Sequence, residues 1–314
     1  MERPLVTVIC LCYNHARFIE EALQSVFSQT YPKIQLIIVD DASTDDSAIR
    51  IHHLIANRPD VQFIRLEQNV GNCKAFNIAL AYAKGKYIVD FSADDIFTKD
   101  RISKQVELFE KLGPEYGVVF TDAQFITDKS EPTGKFYARL LRRKLIEKVP
   151  EGDVYLDVIR RYCISAPTML VRREVFDELK GYDENLAYED FDFWIRSSRI
   201  FKYAFINEPL TMVRKTTGSL SSKLYQPGDQ QLYSTYVVCE KVYTLNRTKE
   251  EMSALAERVR YELKHAVLTK NIKEAQLFYD LLCRVDTPRW LDKTLMRVGR
   301  SPLPVRELRR WMLK

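Results

Sequence analysis

The sequence predicts an α/β protein: a mostly parallel mixed sheet flanked by helices, followed by a helical C-terminal extension. Three observations predict it. Short apolar runs rich in β-branched residues recur through the first 120 residues, as strands buried on both faces require. Between them apolar residues fall at helical spacing, and repeated connections of this length imply parallel strands with crossover helices on both faces. After about Gln226 the composition turns helical. The expected division is residues 1–225 for the α/β domain and 226–314 for the helical region.

VTVICLC (6–12) and QLIIVD (35–40) read as the first two strands. Between them Phe18, Ile19, Ala22, Leu23, Val26 and Phe27 share one side of a helix that Asn14 is placed to cap. Ser43 and Asp46 stand in capping-box spacing for a second helix, with Ile49, Leu54 and Ile55 as its apolar side. VQFIRL (61–66) is the third strand, and an amphipathic helix ending at Lys84 and Gly85 leads into the strand KYIVDFS. A helix over about 100–112 stops at Gly113 and Pro114, ahead of the strand YGVVFTD. From Asp128 to Pro150 the periodicity fades, and the basic, aromatic KFYARLLRRKLIEKVP is expected to form a mobile loop over a cleft. Patterning returns with DVYLDVIRRYC, TMLVRREVF, AYEDFDFWIRSSRI and YAFINEPL. QQLYSTYVVCEKVYTL and EMSALAERVRYELKHAVLTK are the amphipathic helices of the C-terminal region.

With 314 residues and 46% hydrophobic side chains the chain is long enough for a large core, and disorder is excluded as its general state. No run reaches the roughly 18 apolar residues of a membrane span, so the expectation is a cytoplasmic protein. The six cysteines show neither zinc-type spacing nor the density of a disulfide framework. Cys10 and Cys12 would share a strand face and pack there. The net charge of +5 is concentrated at one end: from Arg284 to Lys314 nine Lys or Arg face three Asp or Glu. With Trp290 and Trp311 among them, that tail fits peripheral association with the inner face of an anionic membrane. No nucleic-acid recognition module is present.

The chemistry concentrates in carboxylates. IIVDDASTDDS places Asp40 and Asp41 at the end of one strand, and IVDFSADD places Asp94 and Asp95 at the end of another. Ligands of open α/β sheets bind beyond the carboxyl ends of the strands. Singly, Asp41 reads as a helix cap and Asp94 and Asp95 as turn residues; the repetition points to a site for a divalent cation and a diphosphate. Neither common glycine-rich phosphate cradle is present, which counts against a dehydrogenase. Glu189 and Asp190, in YEDFDFWIR, sit among aromatic residues; partial desolvation would make a carboxylate there a better proton acceptor.

VTVICLCYNHARFIEEALQSVFSQTYPKIQLIIVDDASTDDS, NVGNCKAFNIALAYAKGKYIVDFSADD and GYDENLAYEDFDFWIR, in that order over residues 4 to 220, resemble family 2 glycosyltransferases, whose GT-A fold is a Rossmann-like α/β sandwich. The resemblance implies inverting transfer from a nucleoside diphosphate sugar, UDP-linked by family frequency, to a saccharide or lipid-linked acceptor. By the same resemblance, Asp40 and Asp41 lie near the base and ribose, with Leu11, Cys12 and Tyr13 lining that pocket. Asp94 and Asp95 correspond to the element that holds Mn²⁺ or Mg²⁺ on the diphosphate, Asp190 to the base and Glu189 to its companion; Asn77 and Arg214 complete the donor-binding set. Three positions depart from the family pattern. Ser92 stands where many members have the first aspartate of the metal element. Phe76 replaces an arginine before Asn77, which leaves Lys74 to supply the charge. Thr216 and Thr217 stand where a histidine is common. A non-catalytic nucleotide- or carbohydrate-binding scaffold is the alternative.

Overall fold

The computed structural model describes residues 3–216, 226, 228 and 230–300. In chain order the first elements are β1 (Val6–Cys12), α1 (Ile19–Phe27), β2 (Ile34–Asp40), α2 (Ser47–Ile55), β3 (Gln62–Arg65), α3 (Asn72–Leu80) and β4 (Tyr87–Ser92). Then come β5 (Ile96–Phe97), α4 (Arg101–Phe109), β6 (Tyr116–Ile126), β7 (Pro132–Lys135), α5 (Phe136–Arg142) and α6 (Tyr155–Arg160). They are followed by β8 (Leu170–Arg172), α7 (Arg173–Leu179), α8 (Asp190–Ser198) and β9 (Lys202–Arg214). Four further helices are α9 (Gln230–Leu245), α10 (Lys249–Leu268), α11 (Ile272–Val285) and α12 (Trp290–Gly299).

The chain forms two compact units. One takes Met1–Val154, Cys163–Asn185 and Asp192–Thr216; the other takes Tyr155–Tyr162, Leu186–Phe191 and Thr217–Lys314. The single break expected at residue 225 is therefore replaced by a discontinuous division, in which two short stretches from inside the α/β sequence group with the helices.

In the first unit the described strands form one sheet in the order β3-β2-β1-β4-β8-β6-β9-β5, with β7 on β6. β1 to β4 are mutually parallel, and the antiparallel β8 joins β4 to β6. Alternation sorts β1 by face. Val6, Val8, Cys10 and Cys12 share a buried cluster with Ile19, Leu23 and Ile51 of α1 and α2 and with Ile102 and Val106 of α4. Cys10 and Cys12 are thus packing residues, and burial, the largest influence, raises the Cys12 thiol pKa to about 12.

Register places Cys12 beside Asp40 on one side, while Leu11 pairs with Ser92 on the other. The ladder continues past the strands: Asp41 N–H donates to the Cys12 carbonyl at 2.9 Å and Ala93 N–H to the Leu11 carbonyl at 2.9 Å. The ends of β2, β1 and β4 therefore lie side by side, with both aspartate pairs leaving the same edge. β1 is also where the winding reverses, the position at which such sheets open a crevice.

The stretch expected as a mobile loop contains regular structure. β7 pairs with β6, and Tyr137 at the start of α5 is buried, its N–H donating to Asp122 at 3.1 Å and its hydroxyl to the Cys163 carbonyl at 3.0 Å. Two hydrogen bonds anchor this one buried aromatic residue, whose burial the basic sequence conceals.

In the second unit α10 begins with a capping box in which Thr248 and Glu251 satisfy each other's backbone N–H groups. Leu255, Val259 and Leu263 of α10 and Phe278, Leu281 and Leu282 of α11 supply its buried side chains. Among the described residues no helix is long and apolar enough to cross a membrane.

Candidate active site

The loop after β1 and the loop after β2 are clipped together by polar side chains. Asn14 N–H donates to Ser43 Oγ at 2.9 Å, His15 N–H to Ser47 Oγ at 2.9 Å and Ala16 N–H to Asp45 Oδ2 at 3.0 Å. In return Asn14 Oδ1 accepts from Thr44 N–H at 2.8 Å. Asn14 has a φ of 58° and lies before the helix, so it is a loop clip instead of the expected cap; the helix starts at Phe18 without a side-chain cap. Ser43 is likewise a clip, and Asp46 stands at the N-cap position of α2 without a side-chain cap bond. Burial would raise the Asp45 pKa, but hydrogen bonds from Ser47 and then Ala16 outweigh it and hold the carboxyl below its usual range. The clip leaves Tyr13 45% exposed at the strand edge while Cys12 is buried.

The Asp40–Asp41 pair divides into two roles. Both oxygens of Asp41 accept from the backbone that opens α3: Val70 N–H at 2.8 Å and Gly71 N–H at 3.0 Å. Gly71 holds a φ of 85°, which a residue with a Cβ rarely adopts. Asp41 is therefore a structural acceptor at a helix N-terminus, where the dipole favours its charge. Asp40 is fully buried; its Oδ2 accepts from Ser43 N–H at 3.2 Å and faces Arg65 Nε at 3.8 Å. Its Oδ1 is buried with no hydrogen-bond partner among the described residues, an arrangement that costs free energy unless a donor is supplied.

The second pair repeats the division. Asp95 is 3% exposed and its Oδ1 accepts from Arg214 N–H at 2.9 Å. Burial first, and then the neighbouring Asp94 charge, push its pKa well above the ordinary carboxylate value. Asp94 is half-buried and accepts from the Ser92 hydroxyl. Ser92 thus orients Asp94 through its hydroxyl. Among the described residues no group of three or more His, Cys, Asp or Glu side chains is arranged to hold a metal. Asp94 and Asp95 fit a cation that takes its remaining oxygens from a ligand, because added positive charge would favour the ionised form that burial disfavours in Asp95.

Arg214 has a fully buried side chain. Its Nε donates to the Asp94 carbonyl at 2.8 Å, Nη1 to the Thr127 carbonyl at 2.9 Å and Ser130 Oγ at 3.1 Å, and Nη2 to Glu21 at 2.7 Å, over the Phe18 ring. These bonds tie the end of β9 to the Asp94–Asp95 turn, which is a positioning role. Thr216 is half-buried, and Thr217 lies outside the described residues.

On α3, Lys74 is exposed. Phe76 is fully buried, with ring centroids 4.3 Å from Tyr182 and 5.1 Å from Phe176. The family arginine is thus replaced by a core aromatic residue. The Asn77 amide donates to the Tyr182 carbonyl at 2.9 Å and to Glu184 at 3.0 Å, and its Oδ1 accepts from Tyr182 N–H at 2.9 Å. A Cβ at Gly181 would approach that Oδ1 to 2.4 Å. Asn77 therefore holds the turn at 181–184.

Glu189 and Asp190 belong to the second unit, where both are half-buried and Asp190 is the first residue of α8. Tyr188 hydrogen-bonds Thr235 at 2.7 Å and Tyr162 at 2.8 Å. The structure thus brings Cys12, Asp40 and Asp41 to neighbouring strand ends and gathers Asp94, Asp95 and Arg214, while Glu189 and Asp190 are placed by the helical unit. Sequence reasoning read Ser43 only as a cap and missed Asp45 and Ser47, hydroxyl and acidic residues beside a strand end whose signal resembles that of a cap; it also missed Glu21, which reads as an ordinary first-turn acid of α1.

A sequence model of the family described as "Glycosyl transferase family 2" matches residues 7–180, more than half of the chain. An uncharacterised glycosyltransferase of Rickettsia prowazekii is 29% identical over 255 residues, covering 79% of this chain and 74% of the relative. The putative teichuronic acid biosynthesis glycosyltransferase TuaG of Bacillus subtilis is 26% identical over 247 residues, 78% of this chain and 92% of its own. Among solved structures, S. aureus TarS 1-349 in complex with UDP-GlcNAc has a TM-score of 0.68 at 18% identity, covering 90% of this chain and 80% of that one. The mannosyltransferase PcManGT from Pyrobaculum calidifontis, in complex with GDP-Man and Mn²⁺, has a TM-score of 0.61 at 17% identity, covering 98% and 84%. The expected GT-A fold, with helices at its C-terminal end, is the observed one.

Proposed function

Because the chain belongs to glycosyl transferase family 2, we propose that this glycosyltransferase moves a sugar, with inversion, from a UDP-linked donor to a hydroxyl of a saccharide or lipid-linked acceptor in cell-surface polysaccharide synthesis. The observation that carries the donor site is the buried Oδ1 of Asp40, without a hydrogen-bond partner among the described residues, with β1 alone between its strand and the one that leads to Asp94. An N–H on the nucleotide base is the kind of donor that oxygen lacks, and Tyr13 offers an exposed ring at the same edge. Asp94 and Asp95 would hold Mn²⁺ or Mg²⁺, which supplies positive charge to the departing diphosphate. Asp41 and Asn77 shape α3 and the turn it meets, Lys74 is the exposed cation on that helix, and Arg214 fixes the Asp94–Asp95 turn. By the family resemblance Asp190 takes the proton of the acceptor hydroxyl as its oxygen attacks the anomeric carbon opposite the nucleotide, with Glu189 beside it. No general acid is needed, because a nucleoside diphosphate leaves as an anion.

The names of similar proteins support parts of this reading: a UDP sugar for TarS, Mn²⁺ for the mannosyltransferase and teichuronic acid biosynthesis for TuaG. We assign the enzyme to the cytoplasmic face of an anionic membrane. In α12 the exposed residues include Trp290, Leu291, Lys293 and Arg297, whereas the acidic Asp292 is buried against Arg260 at 3.2 Å. These four exposed side chains are apolar or positive, which complements anionic lipid. The rest of the basic tail, 301–314, lies outside the described residues.

Incubation with UDP- and GDP-sugars and Mn²⁺ tests the reading through nucleoside diphosphate release. Release from a UDP sugar, abolished by Asp190→Asn while UDP still binds, is expected. Tight binding without release across the panel would favour the non-catalytic scaffold.

A further inference from the structure

Resting on the reading of Asp190 as the base, we infer that Arg258, Tyr162 and Tyr188 form a positioning centre for the Glu189–Asp190 pair, so that the helical unit sets the conformation of the peptide that carries the base. The stretch Leu186–Phe191 belongs to the helical unit, and it is held on both sides of the pair. Before the pair, Ala187 N–H donates to Ser234 Oγ at 2.9 Å. The Tyr188 hydroxyl lies 2.7 Å from Thr235 Oγ1 and 2.8 Å from the Tyr162 hydroxyl. Thr235 donates its one hydroxyl proton to the Gln231 carbonyl at 3.0 Å. The direction of the chain follows: Tyr162 donates to Tyr188, Tyr188 to Thr235, and Thr235 to the backbone of α9.

After the pair, the Phe191 ring is fully buried and stands edge-on to Tyr162 at 5.5 Å. The Arg258 guanidinium lies 4.0 Å from the Tyr162 ring centroid and 4.4 Å from that of Phe191. Arg258 is 1% exposed, and its Nε is 3.5 Å from Glu262, which is fully buried one helical turn on. A leucine would fill such a helix contact at far lower desolvation cost than a buried arginine and glutamate. Directional hydrogen bonds and cation–π contacts hold a backbone in one setting, which apolar contact does less well. Burial raises the pKa of both tyrosines, Tyr162 to about 12, so the hydroxyl chain keeps its protons at working pH.

The test uses the full chain with UDP-GlcNAc, UDP-glucose or UDP-galactose and Mn²⁺, reading UDP release, UDP affinity by calorimetry and thermal unfolding. Arg258→Met should lower kcat about 10- to 100-fold, leave donor KM and UDP affinity within about twofold, and move the acid limb of the pH–rate profile; Arg258→Lys should recover part of the loss. Tyr188→Phe removes a single oxygen and should lower kcat without lowering the unfolding temperature enough to populate unfolded chain, which covers failure of Arg258→Met to fold. Normal kcat in folded Tyr188→Phe and Arg258→Lys would overturn the inference, as would UDP affinity falling in step with kcat. Asp190→Asn is measured in parallel. If it is inactive while these variants turn over normally, only the positioning centre fails; if Asp190→Asn is fully active, the base assignment itself fails and the inference with it.

Discussion

Compared side by side, the two aspartate pairs at the sheet edge are built alike. In each, the second residue accepts from backbone N–H of a segment distant in sequence: Asp41 from Val70 and Gly71 before α3, Asp95 from Arg214 at the end of β9. In each, the first residue retains capacity, Asp40 through a buried Oδ1 without a partner among the described residues and Asp94 through a half-buried carboxylate oriented by Ser92. The difference lies in charge balance. Asp41 faces the N-terminus of α3, whereas Asp95 is buried beside Asp94 and carries a raised pKa. An identical dipeptide at two strand ends therefore yields one well-compensated anchor and one anchor whose ionised form burial and a neighbouring charge disfavour.

The largest effect should come from Asp94. Asp94→Asn should lower turnover by about 10²- to 10³-fold while the unfolding temperature stays at the wild-type value; wild-type turnover would remove Asp94 from the reaction. Asp40→Asn should weaken UDP binding by about 10- to 100-fold, the range of a hydrogen bond to a charged group. Its counterpart Asp41→Ala strands two N–H groups and should cost about 2–3 kcal/mol of stability in chemical denaturation. Equal stability losses in the two variants would erase the division within that pair.

Asp95 gives a smaller effect with a definite sign. Its folded pKa is raised above the unfolded value, so folding favours the protonated form, and stability falls as pH rises from the unfolded pKa toward the folded one. Asp95→Asn keeps an acceptor for Arg214 N–H and removes that penalty. It should unfold about 1 kcal/mol later than wild type at neutral pH, match it near pH 3, and gain less from Mn²⁺. A variant less stable than wild type at both pH values would show that the charge is not the problem. The smallest effect expected is at α12, where Trp290→Ala with Lys293→Glu should reduce binding to vesicles containing phosphatidylserine by a few-fold.

Much of this was legible because strand identity is written in local pattern. VTVICLC, IQLIIVD and YIVDFS are apolar and short and form neighbouring strands, with one aspartate pair at the end of IQLIIVD and the other just beyond YIVDFS. What local pattern does not contain is the partner. Asn14, Ser43 and Asp46 carry cap chemistry, yet Asn14 and Ser43 bond across two loops, because the crossover brings residues nearly thirty positions apart to neighbouring strand ends. Phe76 reads in the sequence only as the loss of an arginine's charge, because its surroundings, Phe176 and Tyr182, come from a hundred residues further on. Arg214 carries a donor-binding expectation from the resemblance, but its burial is not legible, since its partners Glu21, Thr127 and Ser130 come from two other segments.

Calorimetric titration of UDP, with and without Mn²⁺, into wild type, Asp94→Asn and Asp41→Ala tests the division of roles most directly. Mn²⁺ should tighten UDP binding by about tenfold or more in wild type, by far less in Asp94→Asn, and by the full wild-type factor in the folded fraction of Asp41→Ala. An undiminished Mn²⁺ increment in Asp94→Asn, or its loss in Asp41→Ala alone, would contradict it.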